Sequence, residues 1–374
     1  MPAYNNPDFR EPPPGLAAVF AAAGKQSFFS LPEWYDLLAR CVTSTGAQIR
    51  VYTGETPGSM VAIPLQRLKE NGRERLASLA NFYSVEHEII SGPDTNLDNG
   101  LTAIITELNA ERPRWHRLDF VELDPGHASY HALVRTLRHA GAMVECTAGA
   151  GTWYERTDGL DFATYRAARP GQLLNTWERK RRSIRAAGHL TAAFVSGASD
   201  IERAIADYQT IYAASWKPAE PFSEFIPGLI RLAAALGALR LGIYYIDDRP
   251  VAAQLWIVWN GRATIYKLAH NKNFDQFSPG TLLTMYMVER VLEEDRPFEI
   301  NFGRGDDPYK RLWLPRHRQR WGITAANWHT MRGFRLGLTR EMAKIYHLVR
   351  GTPIRPPFKT ANVFPTSVRT GSTT

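Results

Sequence analysis

A series of short strand-like runs joined by tight turns most constrains the fold of this chain. The runs span residues 239–246, 251–259 and 262–269. The second turn is Asn260-Gly261, a strong hairpin signal between two apolar runs. A helix opened by Pro279 comes next, and a short strand at 298–302 follows it. Strands in hairpins followed by a helix and another strand predict an α/β unit with a mixed, mainly antiparallel sheet.

Length and composition limit the class of protein. The chain has 374 residues, and this length predicts about two domains. Three strands, a helix, a strand, a helix and two further strands precede residue 160, so we interpret the chain as two copies of one α/β unit. Only Cys41 and Cys146 occur, which argues against a disulfide framework or a zinc cluster, and we expect no metal.

Charge and hydropathy indicate the location and the partners. No apolar run reaches the roughly 18 residues of a membrane span, and residues 1–25 do not read as a secretory signal. We therefore expect a cytoplasmic protein. The net charge of +8 favours a polyanionic or phosphorylated partner such as coenzyme A, a nucleotide sugar, nucleic acid or anionic lipid.

A glycine-flanked turn ends the strand at 298–302. The run reads Phe302-Gly303-Arg304-Gly305-Asp306-Asp307-Pro308-Tyr309-Lys310. Glycines on both sides of Arg304 let the backbone turn sharply and approach a ligand closely. Carboxylates, a phenol and an amine at a strand end are typical of a site in an α/β fold. On residue types alone, a surface turn held by ion pairs is an equally good interpretation.

These features together resemble the GNAT superfamily of acyltransferases. The resemblance is carried by Arg179-Lys180-Arg181-Arg182, Trp216, and residues 246–253, 278–283 and 302–310. More specifically, the chain resembles the BioF2-like or CelD-like acetyltransferase domain, which is related to the FemAB peptidyltransferases with tandem GNAT-like halves. The resemblance covers residues 160–330 well, and the earlier half only in the order of its elements. It implies tandem GNAT-like domains, each with a mixed, mainly antiparallel twisted sheet flanked by helices.

The resemblance also suggests how the chain is divided. We expect an extended N-terminal arm at 1–25, a degenerate GNAT-like domain at 26–158, a GNAT-like acyltransferase domain of the BioF2 type at 159–330, an amphipathic helix at 331–350 and a disordered tail at 351–374. The helix places Phe334, Leu338 and Met342 on one face and several basic residues on the other. Packing on the domain is its expected role, and peripheral membrane contact is the alternative.

Donor binding is expected between the fourth and fifth strands of the later half. The resemblance implies acetyl-CoA or another acyl-CoA, with contacts from Tyr266, Leu268, Gln276, Ser278, Gly280, Thr281 and Leu282. Backbone N–H groups at the start of a helix would hold the phosphates. The chain departs here from the usual Gln/Arg-x-x-Gly-x-Gly/Ala loop, because Pro279 lacks an N–H. An ordinary capped helix, and packing of Tyr266 in the sheet, are the structural alternatives.

The catalytic residues are expected in the glycine-flanked turn. They are Asp306, Asp307, Tyr309 and Lys310. Either carboxylate would act as general base or orient the amine, Tyr309 would protonate the departing thiolate, and Lys310 would contact an acidic acceptor or diphosphate. Either carboxylate could instead cap the short helix that follows.

The acceptor is expected to meet a second set of residues. They are Arg179, Arg182, Trp216, His270 and Arg304. A solvated helix face for the arginines, core packing for Trp216 and a structural role for His270 are the alternatives. His270 is also an alternative general base.

The predicted function is transfer of an acyl group from acyl-CoA to an amine. The acceptor suggested by the resemblance is an amino sugar or a precursor of the cell envelope or of exopolysaccharide. Two alternatives stay open: a FemAB-like aminoacyltransferase that uses charged tRNA, which would be the one case with a nucleic-acid partner, and a non-catalytic module that binds a glycan.

Overall fold

The structure is a computed structural model that describes residues 3–5, 7–43 and 46–350. The predicted tail at 351–374 lies outside the described residues. The helices are α1 Pro14–Gln26, α2 Pro32–Cys41, α3 Leu97–Ala110, α4 Ala128–His139, α5 Phe162–Ala167, α6 Gly171–Ala187, α7 Ile201–Ala213, α8 Phe225–Ala235, α9 Pro279–Glu294 and α10 Met331–Arg350. Short 3₁₀ turns lie at Phe28–Ser30, Lys272–Phe277 and Pro308–Leu312.

The strands of the earlier half are β1 Tyr4–Asn5, β2 Gln48–Thr56, β3 Ser59–Glu70, β4 Arg73–Ser78, β5 Ile90–Ser91, β6 Arg117–Leu123 and β7 Ala142–Arg156. Those of the later half are β8 Leu190–Val195, β9 Leu239–Ile246, β10 Arg249–Trp259, β11 Arg262–His270, β12 Glu299–Asn301 and β13 Arg316–Asn327. They form one sheet in the order β1-β2-β3-β4-β6-β13-β7-β12-β11-β10-β9-β8, with β5 on β3.

The two halves share the centre of this sheet. Strand β13, from the end of the later half, lies between β6 and β7 of the earlier half and is antiparallel to both. Strand β7 in turn lies between β13 and β12. Each half therefore completes the sheet of the other. The mixed, mainly antiparallel sheet flanked by helices confirms the predicted fold class, while the division between residues 158 and 159 stays a prediction, because the sheet continues across it.

Helices cover both faces of the sheet in the later half. On one face, Ile211, Leu229 and Leu241 are fully buried in a cluster formed by α7, α8 and the central strands. On the other face, Leu283 and Met287 of α9 pack on Trp256 of β10. Burying one such side chain contributes about 1.5–3 kcal/mol. The helix layers on the two faces therefore hold β11 and β12 in place between them.

The N-terminal segment differs from its prediction as an extended arm. Residues 14–26 form helix α1, in which Leu16 and Phe20 are fully buried. The three consecutive prolines suggested extended chain, but Pro14 occupies the first helical position, where a missing N–H costs nothing.

Strand β7 was expected as two strands, at 143–147 and 152–155. It is one strand of 15 residues. A Cβ added to Gly149 would lie 3.3 Å from the Arg320 carbonyl oxygen, and one on Gly151 would clash with Asp306 and His317. These glycines allow close neighbours to approach a continuous strand and do not mark a turn.

No helix among the described residues has the length and apolar character needed to cross a membrane.

A close backbone contact makes the earlier half sensitive to a single methyl group. A Cβ on Gly100 of α3 would lie 2.8 Å from Val61 Cβ, and one on Gly54 of β2 would meet the backbone of Gly100. We expect Gly100→Ala to lower the free energy of unfolding by roughly 1–3 kcal/mol, because α3 must move off the sheet. Denaturant unfolding measures this.

The matched control is Gly171→Ala at the start of α6, where nothing lies within 4 Å of the added Cβ. This variant should be neutral or more stable by up to about 1 kcal/mol. Equal stability of the two variants would contradict the packing described for α3.

Candidate active site

A cleft opens where β12 leaves β11. The two strands pair in parallel only from Arg262↔Glu299 to Thr264↔Asn301, although β11 continues to His270. Beyond Asn301 the chain continues along β7 only. Phe302 N–H donates to the Trp153 carbonyl at 2.9 Å, and Gly305 N–H donates to the Gly151 carbonyl at 2.9 Å. The cleft-facing edge of β11 is therefore left without a partner strand.

Two glycines allow this departure. Gly303 has φ +53° and Gly305 has φ +117°, both in the region that favours glycine. A Cβ on Gly303 would lie 3.0 Å from the carbonyl oxygen of Ile265 on β11. Gly303 is therefore the closed end of the cleft, where the turn still touches β11.

The cleft has a volume of about 210 Å³. One wall is β11 from Ile265 to Leu268, and the opposite wall is the glycine-flanked turn with Asp307, Tyr309 and Lys310. Lys217, from the loop after α7, and the Phe82-Tyr83 pair, from the loop after β4, complete the lining. A narrow slot beside an unpaired strand edge can accept an extended chain that carries amides.

Lys310 holds the turn in place. Its side chain is 5% exposed, and its ammonium donates to the carbonyl oxygens of Arg304 at 3.0 Å and Gly305 at 3.1 Å, with a longer contact to Phe302 at 3.4 Å. It also pairs with Asp307 at 3.1 Å. Burial lowers its pKa, and Asp307 acts against this. With its donors used in this way, Lys310 shapes the wall, and the predicted contact with an acidic acceptor finds no support.

The two aspartates face different surroundings. Asp306 accepts from Gly151 N–H at 2.9 Å and lies 2.5 Å from His317 Nε2, so it is tied to β7 and β13 outside the cleft. Asp307 lines the cleft and carries the ion pair with Lys310. The structure therefore does not bring the pair together as expected: Asp307 is in the site and Asp306 is not.

Tyr309 places a protonated phenol in the cleft. Its ring packs edge-on against Phe302 at 6.0 Å, and the side chain is 43% exposed. Burial, with a further contribution from Asp307, raises the pKa of the phenol. Tyr309 therefore keeps its proton near neutral pH and can donate it to a developing negative charge.

A group of charged and phenolic side chains surrounds the other wall. Glu220 accepts from Tyr83 Oη at 2.6 Å and from Lys267 Nζ at 2.6 Å. Lys217 Nζ lies over the rings of Trp216 at 5.6 Å and Tyr212 at 6.0 Å. Lys217 makes no ion pair with any residue that the structure describes.

The electrostatic surroundings of Lys217 favour its neutral form. Burial, and then the neighbouring ammonium of Lys267, lower the pKa of Lys217 to about 8, against an opposing effect of Glu220. From the opposite wall, the ammonium of Lys310 lowers the pKa of Lys217 and the carboxylate of Asp307 raises it. With a pKa of about 8, a fraction of Lys217 is neutral near physiological pH, and this neutral form can accept a proton.

Arg304 joins the turn to the earlier half. Its Nε donates to Glu122 Oε1 at 2.7 Å, and Glu122 is 4% exposed. Burial raises the pKa of Glu122, and Arg304 opposes this. Through this pair Arg304 positions the wall of the cleft, which it also lines.

The start of α9 offers fewer phosphate donors than expected. Thr281 N–H donates to the Ser278 carbonyl at 3.0 Å and Leu282 N–H to the same oxygen at 3.3 Å. Pro279 has no N–H, so Gly280 supplies the one N–H group of this turn that remains free for a ligand. Lys180 of α6 donates to the Gln276 carbonyl at the same place, which adds a positive charge.

Two of the expected acceptor residues link this helix start to the cleft. Trp216 is 54% exposed, and its ring lies 4.6 Å from that of His270. His270 pairs with Asp275 at 2.7 Å, and a Cβ on Gly280 would lie 3.3 Å from its Nδ1. Contacts therefore run from Lys217 in the cleft through Trp216 and His270 to the start of α9.

The remaining predicted residues divide between the cleft and its surroundings. Tyr266 and Leu268 line the cleft, and the Tyr266 phenol donates to the Tyr83 carbonyl at 2.7 Å. Arg179 and Arg182 are exposed on α6, with no ion pair among the described residues, and do not line the cleft. No group of three or more His, Cys, Asp or Glu in the described part of the chain could hold a metal ion.

Sequence reasoning missed the wall formed by Tyr83, Lys217, Glu220 and Lys267. The run Lys217-Pro218-Ala219-Glu220-Pro221 was interpreted only as a proline-rich loop after α7. Two opposite charges three residues apart, each directly before a proline, were an available signal, since a proline restricts the backbone of the residue before it. The sequence pattern predicts a strand that runs from Arg75 to Tyr83, whereas β4 ends at Ser78 and Tyr83 lies in the loop after it.

Trace labelling with acetic anhydride tests the state of Lys217. The reagent attacks neutral amines only, so the reactivity of Lys217 should rise through a midpoint near pH 8. Mass spectrometry of the peptides gives the midpoint, with the exposed Lys69 as reference. Lys267→Met removes the neighbouring positive charge and should move the midpoint to higher pH. A midpoint that does not move would contradict the electrostatic coupling of the two lysines.

Residues 171–311 match the family model "Acetyltransferase (GNAT) domain". No curated protein matches the sequence. The structure is similar to FemX, with a TM-score of 0.58, 9% identity, and 86% of this chain and 97% of that chain covered.

A second similar structure is the C-terminal domain of a protein assigned as a lysylphosphatidylglycerol synthetase from Agrobacterium fabrum. Its TM-score is 0.52 at 14% identity, with 88% of this chain and 94% of that chain covered. At these identities the similarity concerns the fold. The chain therefore has a GNAT-like fold, and its residues 171–311 match an acetyltransferase (GNAT) domain.

Proposed function

We propose that this protein transfers an acyl group from acyl-CoA to an amine, with the reaction taking place in the cleft between β11 and the glycine-flanked turn. The observation that carries the proposal is the unpaired edge of β11 beyond Thr264. The pantetheine arm of coenzyme A carries two amides, which can hydrogen-bond to such an edge as an added strand does. The GNAT domain match over residues 171–311 supports the same donor class.

The chemistry assigned to the cleft follows from its protonation states. The amine nitrogen attacks the thioester carbonyl, a C–N bond forms and the C–S bond breaks. Lys217, in its neutral form, accepts the proton that the amine nitrogen loses. Tyr309 donates a proton to the departing thiolate, and the proton on Lys217 returns to the Tyr309 phenolate through solvent. Holding the two reactants together in the cleft can lower the activation free energy by roughly 7–11 kcal/mol.

Asp307 has a different role in this proposal. Its ion pair with Lys310 fixes its position on the cleft wall, so we assign it to orienting the acceptor amine. The acceptor class we propose is an amino sugar or another amine-bearing precursor of the cell envelope or exopolysaccharide. The exposed ring of Trp216 supports this, since aromatic faces at a cleft mouth can stack on the apolar face of a sugar.

A FemAB-like aminoacyltransferase that uses charged tRNA is the second candidate. One observation favours it: the start of α9 offers one free N–H at Gly280 instead of a cradle for a pyrophosphate. The exposed arginines of α6 would then contact RNA. FemX shares the fold, and this likeness alone does not select the donor.

A thermal-shift series separates the donors. Acetyl-CoA and longer acyl-CoAs should raise the unfolding temperature, and at equal concentration the tighter-binding donor should raise it more, because a ligand bound only by the folded state stabilises it. Incubation with glucosamine should then release free thiol from acetyl-CoA. Transfer of the amino acid from aminoacyl-tRNA to the acceptor amine, with release of free tRNA and no release of thiol from acetyl-CoA, would select the second candidate. Retained glucosamine binding without turnover of either donor would indicate a non-catalytic glycan-binding module.

Substitutions in the turn test the assigned roles. We expect Tyr309→Phe and Lys217→Met each to lower turnover by roughly 10²–10⁴, because each removes one proton-transfer group. Asp306→Asn, three residues before Tyr309, is the matched control and should leave turnover nearly unchanged, since Asp306 lies outside the cleft. Circular dichroism checks that the variants fold. Full activity of Tyr309→Phe and Lys217→Met, with loss in Asp306→Asn, would refute this assignment.

Gly280→Ala tests the start of α9. The added methyl group would lie 3.3 Å from His270 Nδ1 and beside the one free N–H. We expect a higher donor KM and a nearly unchanged kcat, because binding of the donor phosphates is weakened and the reacting groups are not touched. Steady-state kinetics with acetyl-CoA measures both constants. A change in kcat alone would place the phosphates elsewhere.

A further inference from the structure

Helix α10 contacts the rest of the protein through two glycines. A Cβ on Gly333 would lie 2.1 Å from the Asn327 carbonyl oxygen, and one on Gly337 would lie 2.5 Å from Met143 Cε. Both glycines are buried. Since they are one helical turn apart, they mark the face that packs on the protein.

The large apolar side chains of α10 lie on the opposite face. Met331 is 74% exposed, Phe334 43%, Leu338 47% and Met342 61%. Their spacing of three, four and four residues places them in one stripe. Trp328, which is 44% exposed, extends the stripe by edge-on contact with Phe334 at 5.2 Å. We refer to these five residues as the α10 patch.

This arrangement is the reverse of an ordinary surface helix. Such a helix buries its large apolar residues and exposes its small and polar ones. Here the small residues are buried and the large apolar ones face outward. A contiguous exposed apolar surface of this kind is typical of an interaction site.

The charges around the patch indicate what covers it. The sequence of α10 holds five cationic residues, Arg332, Arg335, Arg340, Lys344 and Arg350, and one carboxylate, Glu341. Within the described residues, Arg332 and Arg335 make no ion pair, and Arg114 lies nearby through its bond to the His329 carbonyl. Apolar side chains flanked by unpaired cations complement a surface that is anionic outside and apolar beneath.

We propose that α10 is a docking surface for an anionic lipid bilayer, on which it lies in the plane of the headgroups with the α10 patch among the acyl chains. A second copy of this chain is a poorer partner, because a two-fold contact would set two strongly cationic helices against each other. The inference rests on this surface alone and is independent of the proposed transfer reaction.

Vesicle co-sedimentation of the full chain tests the proposal. The probes are vesicles of phosphatidylcholine alone and of phosphatidylcholine with phosphatidylglycerol. We expect binding to the second kind only, with an affinity that falls as salt is added. The double variant Phe334→Ser, Leu338→Ser should bind at least about tenfold more weakly, because two apolar side chains that enter the acyl chains on binding are replaced by polar ones.

A pair of charge reversals provides the matched control. Arg335→Glu on α10 should weaken vesicle binding. Arg73→Glu, at the exposed first position of β4, changes the net charge equally and should not weaken binding. If the double variant fails to fold, this pair decides the question. Absence of binding to the anionic vesicles, or equal binding by Arg335→Glu and Arg73→Glu, overturns the proposal. A dimer in sedimentation velocity that the double variant converts to monomer would assign the patch to a second copy and also overturn it.

Discussion

After Asn301 the main chain leaves β11 but continues along β7, and the cleft opens where β11 and β7 lose this shared partner. Strand β7 comes from the earlier half, so a strand of one half opens the site of the other. The hydrogen bonds of Phe302 and Gly305 keep the turn on β7 after the pairing with β11 has ended. The backbone groups of the turn are therefore satisfied, while the facing edge of β11 is left for a ligand.

The polar groups at the cleft differ in whether their bonding capacity is used. Lys310 and Arg304 are held by carbonyls and by Glu122, and they fix the shape of the turn. Lys267 is held by Glu220. Lys217 and Tyr309 also line the cleft, and within the described residues the ammonium and the phenol have no ion pair or hydrogen bond of this kind. Groups that are already satisfied are suited to shape a site, and groups that are not are suited to act on a ligand.

Local patterns in the sequence predicted much of the fold and part of the site. The hairpins around Asn260-Gly261 and the glycine-flanked turn depend on neighbouring residues, so they could be read directly from the chain. The insertion of β13 between β6 and β7 is a long-range pairing, and no local pattern encodes it. For the same reason the capture of Asp306 by Gly151 and His317 could not be foreseen, because these partners are distant in sequence. Lys217 was overlooked because its importance arises from its neighbours in space, Lys267 and the two aromatic rings.

The central claim is that the edge of β11 beyond Thr264 is open in the free protein and is covered by the donor. Hydrogen–deuterium exchange of the amides from Ile265 to Leu268 measures this most directly. In a strand paired on one side, alternate amides face the open edge and exchange quickly. We predict that the amides facing the open edge exchange fast in the free protein and that their exchange slows markedly when acetyl-CoA is added. Slow exchange in the free protein, or the same exchange with and without donor while acetyl-CoA is bound, would contradict it.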